Sequence, residues 1–274
     1  MKEHNLLIIH QIIEDYTSFK KLHISKIVDE LNSILQYFDA FKKVRIEISF
    51  SDSKEILEDF SDKGILIDEK NKKTSYLLNS LRYFEIGETM HSFLISNLLN
   101  PAAEHGQGKL FLNSFLSMIG IETTENDLWV VTSESRRIDI LIKRKYPHSV
   151  VIIENKSNYA GDQENQLYRY WFQEMFQPND DKACDYTLKN KKYYKIVYLS
   201  PNDKKIPDTN SLMRPNWEWL SKKYPELPCK LKDSDIQKIN FNTHIVEWLQ
   251  SCLIHLKENH RLREYIMQYI ELWK

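Results

Sequence analysis

Cysteine is scarce in this sequence of 274 residues, which holds only Cys184, Cys229 and Cys252. Three thiols so far apart build neither a disulfide framework nor a Cys-x-x-Cys metal site, and they suit a reducing cytoplasm. Glycine and proline are sparse too, at 6 and 8. That leaves little material for a flexible linker, so any domains should pack together. An excess of one charge sign is missing: 38 Lys and Arg face 39 Asp and Glu, for a net charge of -1. There is no global basic field that would announce nucleic acid and no acidic one, so a site for a polyanion has to be local. Long apolar runs are also absent. The stretch 6–9 is interrupted by His10 and Gln11, with Glu14 soon after, which excludes a signal h-region, and nothing later approaches the roughly 18 consecutive apolar residues of a membrane span. A soluble, cytoplasmic, unprocessed chain without membrane contact is expected.

What is present describes a globular protein. A 42% hydrophobic and 28% charged composition excludes disorder, and the length at about 150 residues per domain allows one to two domains. Residues 5–22 and 24–38 carry apolar side chains at helical spacing, and Val44, Ile46, Ile48 and Phe50 alternate like a strand with one wet face. A short helix over 53–61 and a hairpin over 64–78 follow. Residues 1–78 therefore read as a small α+β module. A helix followed by a charged hairpin invites a winged-helix comparison, but Lys70, Lys72 and Lys73 are offset by nearby acids, which favours a solvated hairpin closing a small core. Partner binding or homodimerisation is as good a use for this module as DNA contact.

Beyond residue 80 the pattern changes. Helices are predicted over 88–99 and 109–119, strands over 128–133, 138–143 and 150–153, a helix over 163–176, a strand over 195–200, and helices over 243–257 and 260–273. The polar connection between the second and third strands, which contains Pro147, fits an antiparallel hairpin. No repeat or low-complexity segment is visible.

The informative stretch is Arg137-Ile138-Asp139-Ile140-Leu141-Ile142 with Val150-Val151-Ile152-Ile153-Glu154-Asn155-Lys156. A strand as apolar as 150–153 is buried on both faces, hence central in its sheet. It runs directly into Glu154 and Lys156, which share a face by the period of two, and the hairpin brings Asp139 beside them. Two carboxylates converging at a buried strand end repel unless a cation sits between them, and hard oxygen donors favour Mg²⁺ or Mn²⁺. A lysine beside such a metal orients or deprotonates water, or stabilises charge growing on an attacked phosphate. Other acid-x-Lys tripeptides occur, for example at Asp68, Asp180 and Asp203, but none follows a pair of apolar strands. The plainer alternative is a surface salt bridge among Asp139, Glu154 and Lys156, worth about 0 to 1 kcal/mol. Other chemistry fails on the residues: Ala103 and Leu110 break a phosphate-loop pattern, and no serine elbow appears.

These residues resemble the PD-(D/E)XK nuclease superfamily, with Asp139 and Glu154-x-Lys156 as its motif and Ile138 in place of the eponymous proline. Gln166-x-x-x-Tyr170 is similar to the helix motif of RecB-like members. Glu88, His91, Asn100-Pro101 and His105-Gly106-x-Gly108 look like one bacterial subfamily, so the resemblance spans about residues 80–274. It implies an α/β fold: a restriction-endonuclease-like mixed sheet flanked by helices, here with an N-terminal α+β module (1–78), a nuclease-like domain (79–274) and C-terminal helices from about 240. It implies a Mg²⁺- or Mn²⁺-dependent nuclease, DNA preferred, in host defence or a mobile element. Asp139 and Glu154 would be ligands, Glu88 a further ligand or a helix-terminal charge, and His91 a site neighbour or a core histidine. Gln166 and Tyr170 would contact nucleic acid, brace Lys156 or simply pack. Glu134 is a further ligand or an arginine partner. Arg136, Arg137 and Lys143, with Arg144 and Lys145, form a local phosphate patch or a solvated tip. The alternative function is a non-catalytic nucleic-acid-binding or assembly protein on the same fold.

Overall fold

The computed structural model describes residues 2–75 and 78–274, and the chain divides into two units, Met1–Leu78 and Asn79–Lys274. In the first unit, helix α1 (Lys2–Thr74) runs without a break. This corrects the α+β reading: the stretches 44–50 and 64–67 lie on α1, and of the hairpin's last segment residues 76 and 77 fall outside the described residues. The physical reason is twofold. No proline precedes Pro101, and Gly64 is the sole glycine before Gly87, so little stops a helix. The seven-residue alternation also sets Val44 four residues from Ile48 and Ile46 four from Phe50, which satisfies the helical period as well as the strand period. Ile24, Ile27, Leu31, Ile34, Phe38 and Phe41 follow at alternating steps of three and four, the spacing of an interhelical seam. All six are exposed.

The second unit is built on one five-stranded sheet in the order β1 (Trp129–Ser135), β2 (Ile138–Arg144), β3 (Ser149–Asn155), β4 (Tyr194–Ser200) and β5 (Ile236–Asn240). The pairs β1–β2 and β2–β3 are antiparallel, whereas β3–β4 and β4–β5 are parallel. β3 is buried along its whole length, as its unbroken apolar run requires. Helices α2 (Glu88–Leu99), α3 (Leu110–Met118), α4 (Gln166–Trp171), α5 (Tyr186–Lys189), α6 (Thr209–Leu212), α7 (Glu218–Lys223), α8 (Val246–Leu253) and α9 (His260–Glu271) surround it. Strand periodicity sorts the core into two layers. Ile140, Ile142, Val151, Ile153, Val197 and Leu199 pack with α2, α3, α8 and α9. Leu141, Val150, Ile152, Ile196 and Tyr198 pack with α4 and the π turn 172–176 that continues it. This is the restriction-endonuclease-like mixed sheet flanked by helices. β5 carries only Ile236 and Ile239 as apolar residues among polar ones, too weak a signal to read from sequence.

The same alternation corrects one basic residue. Arg144 falls on the face of Ile140 and Ile142 and is buried, so it is not part of an exposed tip. Its Nε donates to the Pro147 carbonyl at 2.9 Å and Nη1 to the Glu122 carbonyl at 3.1 Å. It pairs with buried Asp127, and its guanidinium lies 4.7 Å from the Trp129 ring centroid. Removing one partner strands a buried charge, so Asp127→Ala should cost about 3–5 kcal/mol in urea unfolding. Replacing both partners with apolar side chains should recover most of that loss; equal losses in the single and double variants would contradict this account.

Candidate active site

The site forms where β3 leaves the sheet. Pairing of β2 with β3 stops at Ile140 opposite Ile153, and Asp139 takes over there: its Oδ2 accepts the backbone N–H of Asn155 at 2.6 Å. The Asn155 side chain points to the other face, donating to Ser92 Oγ at 3.0 Å and to the Glu88 carbonyl at 2.9 Å. One asparagine thus ties Asp139 and the start of α2 to the strand end. Glu154 and Lys156, on either side of it, turn together to the α4 face, as period two demands. Both are buried.

Lys156 Nζ lies 2.7 Å from Glu154 Oε1 and 3.8 Å from Asp162 Oδ1. Gln166 Nε2 donates to the same Glu154 oxygen at 2.7 Å and sits 3.0 Å from the Tyr170 hydroxyl. That hydroxyl donates to the Arg137 carbonyl. The helical pair Gln166 and Tyr170 therefore braces Glu154, and through it Lys156. Asp162 is a site residue that sequence reading missed. It lies in the loop before α4, fixed by the Tyr198 hydroxyl at 3.0 Å and the Asp208 N–H at 2.6 Å. No periodicity marks such a loop residue.

Electrostatics follow from three carboxyl groups sharing one ammonium. Burial pushes Asp139 up to about 6 against the Asn155 N–H bond, with the charges of Glu134 and Glu88 adding to the rise. Burial, then the charge of Asp139, pushes Glu154 up to about 8. For Lys156 burial works downward, but Glu154, Asp162 and Asp139 outweigh it and the ammonium is held above its ordinary value.

The other expected site residues divide. Glu88 stands at the start of α2, but its Oε1 accepts the N–H groups of Asn158 at 3.1 Å and Ala160 at 3.3 Å. Among the described residues no three His, Cys, Asp or Glu side chains gather as a metal cluster, and the charge of Glu88 reaches Asp139 only as one of the influences that raise it. His91 is not brought to the site. Its Nδ1 lies 2.9 Å from the Tyr269 hydroxyl, its ring packs on Trp273, and burial lowers it to about 4: it is the core histidine of the two readings. Arg136 Nη1 pairs with buried Glu174 at 3.0 Å, and Lys143 pairs with the other oxygen of the same carboxylate. Arg136 therefore takes Glu174 rather than Glu134 as its partner. The Arg136, Arg137 and Lys145 side chains are exposed.

Glu154 Oε2 is buried and has no hydrogen-bond partner. An orphan carboxylate oxygen near a second carboxylate is costly unless a cation completes it. Mg²⁺ and Mn²⁺ commonly take one or two carboxylates and keep several waters, so the pair Asp139 and Glu154 fits such an ion.

A family model described as the PD-(D/E)XK nuclease superfamily matches residues 78–271. The chain belongs to this superfamily. Comparison with curated proteins and with solved structures gives no match. Helix α1 lies outside the matched residues. The family is one of phosphodiester hydrolases that act on nucleic acid and generally use divalent metals. No helix among the described residues is long and apolar enough to cross a membrane.

The raised carboxyl groups carry a pH signature. With Glu154 lifted from 4.5 to about 8, the metal-free folded chain binds more protons than the unfolded chain across that interval. Stability is then fully present below the ordinary carboxylate range and is lost as pH rises towards about 8. In EDTA the thermal midpoint should fall over this interval, and Mg²⁺ or Mn²⁺ should restore it at the alkaline end. Glu154→Gln should remove most of both effects; an unchanged pH slope in that variant would refute the assignment.

Proposed function

We propose that this chain is a Mg²⁺- or Mn²⁺-dependent nuclease that hydrolyses phosphodiester bonds. The observation that carries the proposal is the buried, unpartnered Glu154 Oε2 beside Asp139 and Lys156. Asp139 and Glu154 would hold the ion, which when bound neutralises phosphate charge and lowers the pKa of water. The chain's own residues do the rest. Lys156, kept charged by its three acidic neighbours, is in place to orient the attacking water and to stabilise negative charge developing on the phosphate. Gln166 fixes the Glu154 oxygen that Lys156 shares, and Tyr170 fixes Gln166. DNA as the preferred polymer and host defence as the setting follow from the resemblance.

A non-catalytic protein would have little reason to keep two costly carboxyl groups at a buried strand end. The exposed seam of α1 supports a helical partner or a second copy of the chain for the N-terminal unit, and three free cysteines suit the cytoplasm.

The deciding assay offers linear, circular, single-stranded and branched DNA, and RNA of matching sequence, with Mg²⁺ and with Mn²⁺. Wild type should cleave DNA faster than RNA, and Lys156→Ala should lower the rate by about 10²- to 10⁴-fold. If wild type and Lys156→Ala degrade the substrates equally, Lys156 has no catalytic role.

A further inference from the structure

Beside the carboxylate site a groove of about 450 Å³ opens between the turn joining β1 to β2 and one face of α4 with its continuation. Arg136, Arg137, Arg169, Tyr170, Gln173 and Gln177 line it. None of the six is acidic, in a chain whose net charge is only -1. We propose that this groove binds a phosphate group of the nucleic-acid strand, with Arg137 and Arg169 as its principal contacts; this rests on the reading of the neighbouring site as a nuclease centre.

Three observations carry it. The first is the backbone of the turn. Arg136 and Arg137 both adopt positive φ, at 53° and 69°. A two-residue hairpin turn of this kind normally takes Asn-Gly, because a Cβ is strained there. Two adjacent arginines keep the strained conformation, and both line the groove. The second is how the arginines are held. Buried Glu174, on the π turn, pairs with Arg136 and fixes one wall. No ion pair engages Arg137 or Arg169 among the described residues. Arg169 Nη2 makes only a 3.4 Å contact with Gln163, and its Nε is buried with no partner. A planar guanidinium with free N–H groups matches phosphate oxygens by geometry as well as charge, and Gln173 and Gln177 add neutral donors.

The third is the link to chemistry. Tyr170 is both a wall of the groove and the residue that connects the Arg137 carbonyl to Gln166, which in turn holds Glu154. Three hydrogen bonds thus connect the turn that carries Arg137 to the carboxylate Glu154. The shared chemistry is a phosphate, from either an internal phosphodiester or a terminal monophosphate.

The test is a titration of the full chain in EDTA, which prevents turnover, with short fluorescent DNA oligonucleotides of two unrelated sequences over a range of salt. Arg137→Gln and Arg169→Gln should each weaken binding by about 3- to 10-fold, alike for both sequences, and reduce the salt slope by about one. Arg169→Lys, which keeps the charge without the fork, should fall between, and all variants should keep the wild-type thermal midpoint. A loss that appears equally on closed circles assigns the groove to internal phosphates, and one confined to 5′-phosphorylated ends assigns it to a terminal monophosphate. Wild-type affinity and slope in the double variant, or no binding by wild type, overturns the proposal. If wild type and the double variant cleave and bind alike, the groove fails while the nuclease reading stands. If the arginine-dependent binding appears without metal-dependent cleavage by wild type, the groove stands and the nuclease reading fails.

Discussion

A single ammonium group, that of Lys156, serves the carboxyl groups of Glu154 and Asp162 directly and that of Asp139 through space. In a buried place this leaves a shortage of positive charge, and the surrounding structure can be understood as managing it. The sheet supplies rigid positions, because β3 is enclosed on both faces and can hold costly groups at its end without local unfolding. Hydrogen-bond donors supply partial relief: the Asn155 N–H to Asp139, the Gln166 amide to Glu154, and the Tyr198 hydroxyl to Asp162. One oxygen remains without a donor, and a divalent ion is the simplest group that satisfies both it and the charge.

Each of those donors is delivered by a different part of the fold. Asn155 belongs to β3 but reaches α2, so the helix start and the carboxylate pair are coupled through one side chain. Gln166 and Tyr170 sit one turn apart on α4, whose apolar face packs against the sheet through Leu167 and Trp171. Widening of the next turn to π geometry accompanies the placement of Glu174 against Arg136 and Lys143. π turns often occur where function overrides regular helix packing. Here the turn carries Gln173, which lines the groove, and Glu174, which pairs with Arg136 and Lys143.

A near-zero net charge does not oppose nucleic-acid chemistry once the cations are sorted by what they touch. Arg144 is consumed by the core and Lys143 by Glu174. Arg136 shares that carboxylate, which leaves Arg137 and Arg169 as the arginines of the groove outside any ion pair among the described residues. Affinity built on so few contacts should depend modestly on salt.

How much of this was legible in the sequence depends on the range of the interactions involved. Strands β1 to β4 and the longer helices of residues 79–274 were legible because periodicity is local, and so was the pairing of Asp139 with Glu154-x-Lys156, since an apolar strand flowing into charge is an uneconomical arrangement without a ligand. In α1 the same local signal misled, because Val44 to Phe50 satisfies two periods at once and nothing in the chain breaks the helix. Asp162, the Glu174 anchor and the Arg169 wall were out of reach, because each is defined by a tertiary partner and none lies at the end of an apolar strand pair that would mark it. His91 was ambiguous and Arg144 misread for the same reason: a charged or titratable residue on an amphipathic element is exposed, a ligand or a core group according to what packs against it. Sequence by itself determined the elements and the chemical types at the strand end, because these depend on neighbours along the chain. Tertiary structure alone decided which charges are buried together, and burial is what turns those side chains into a site.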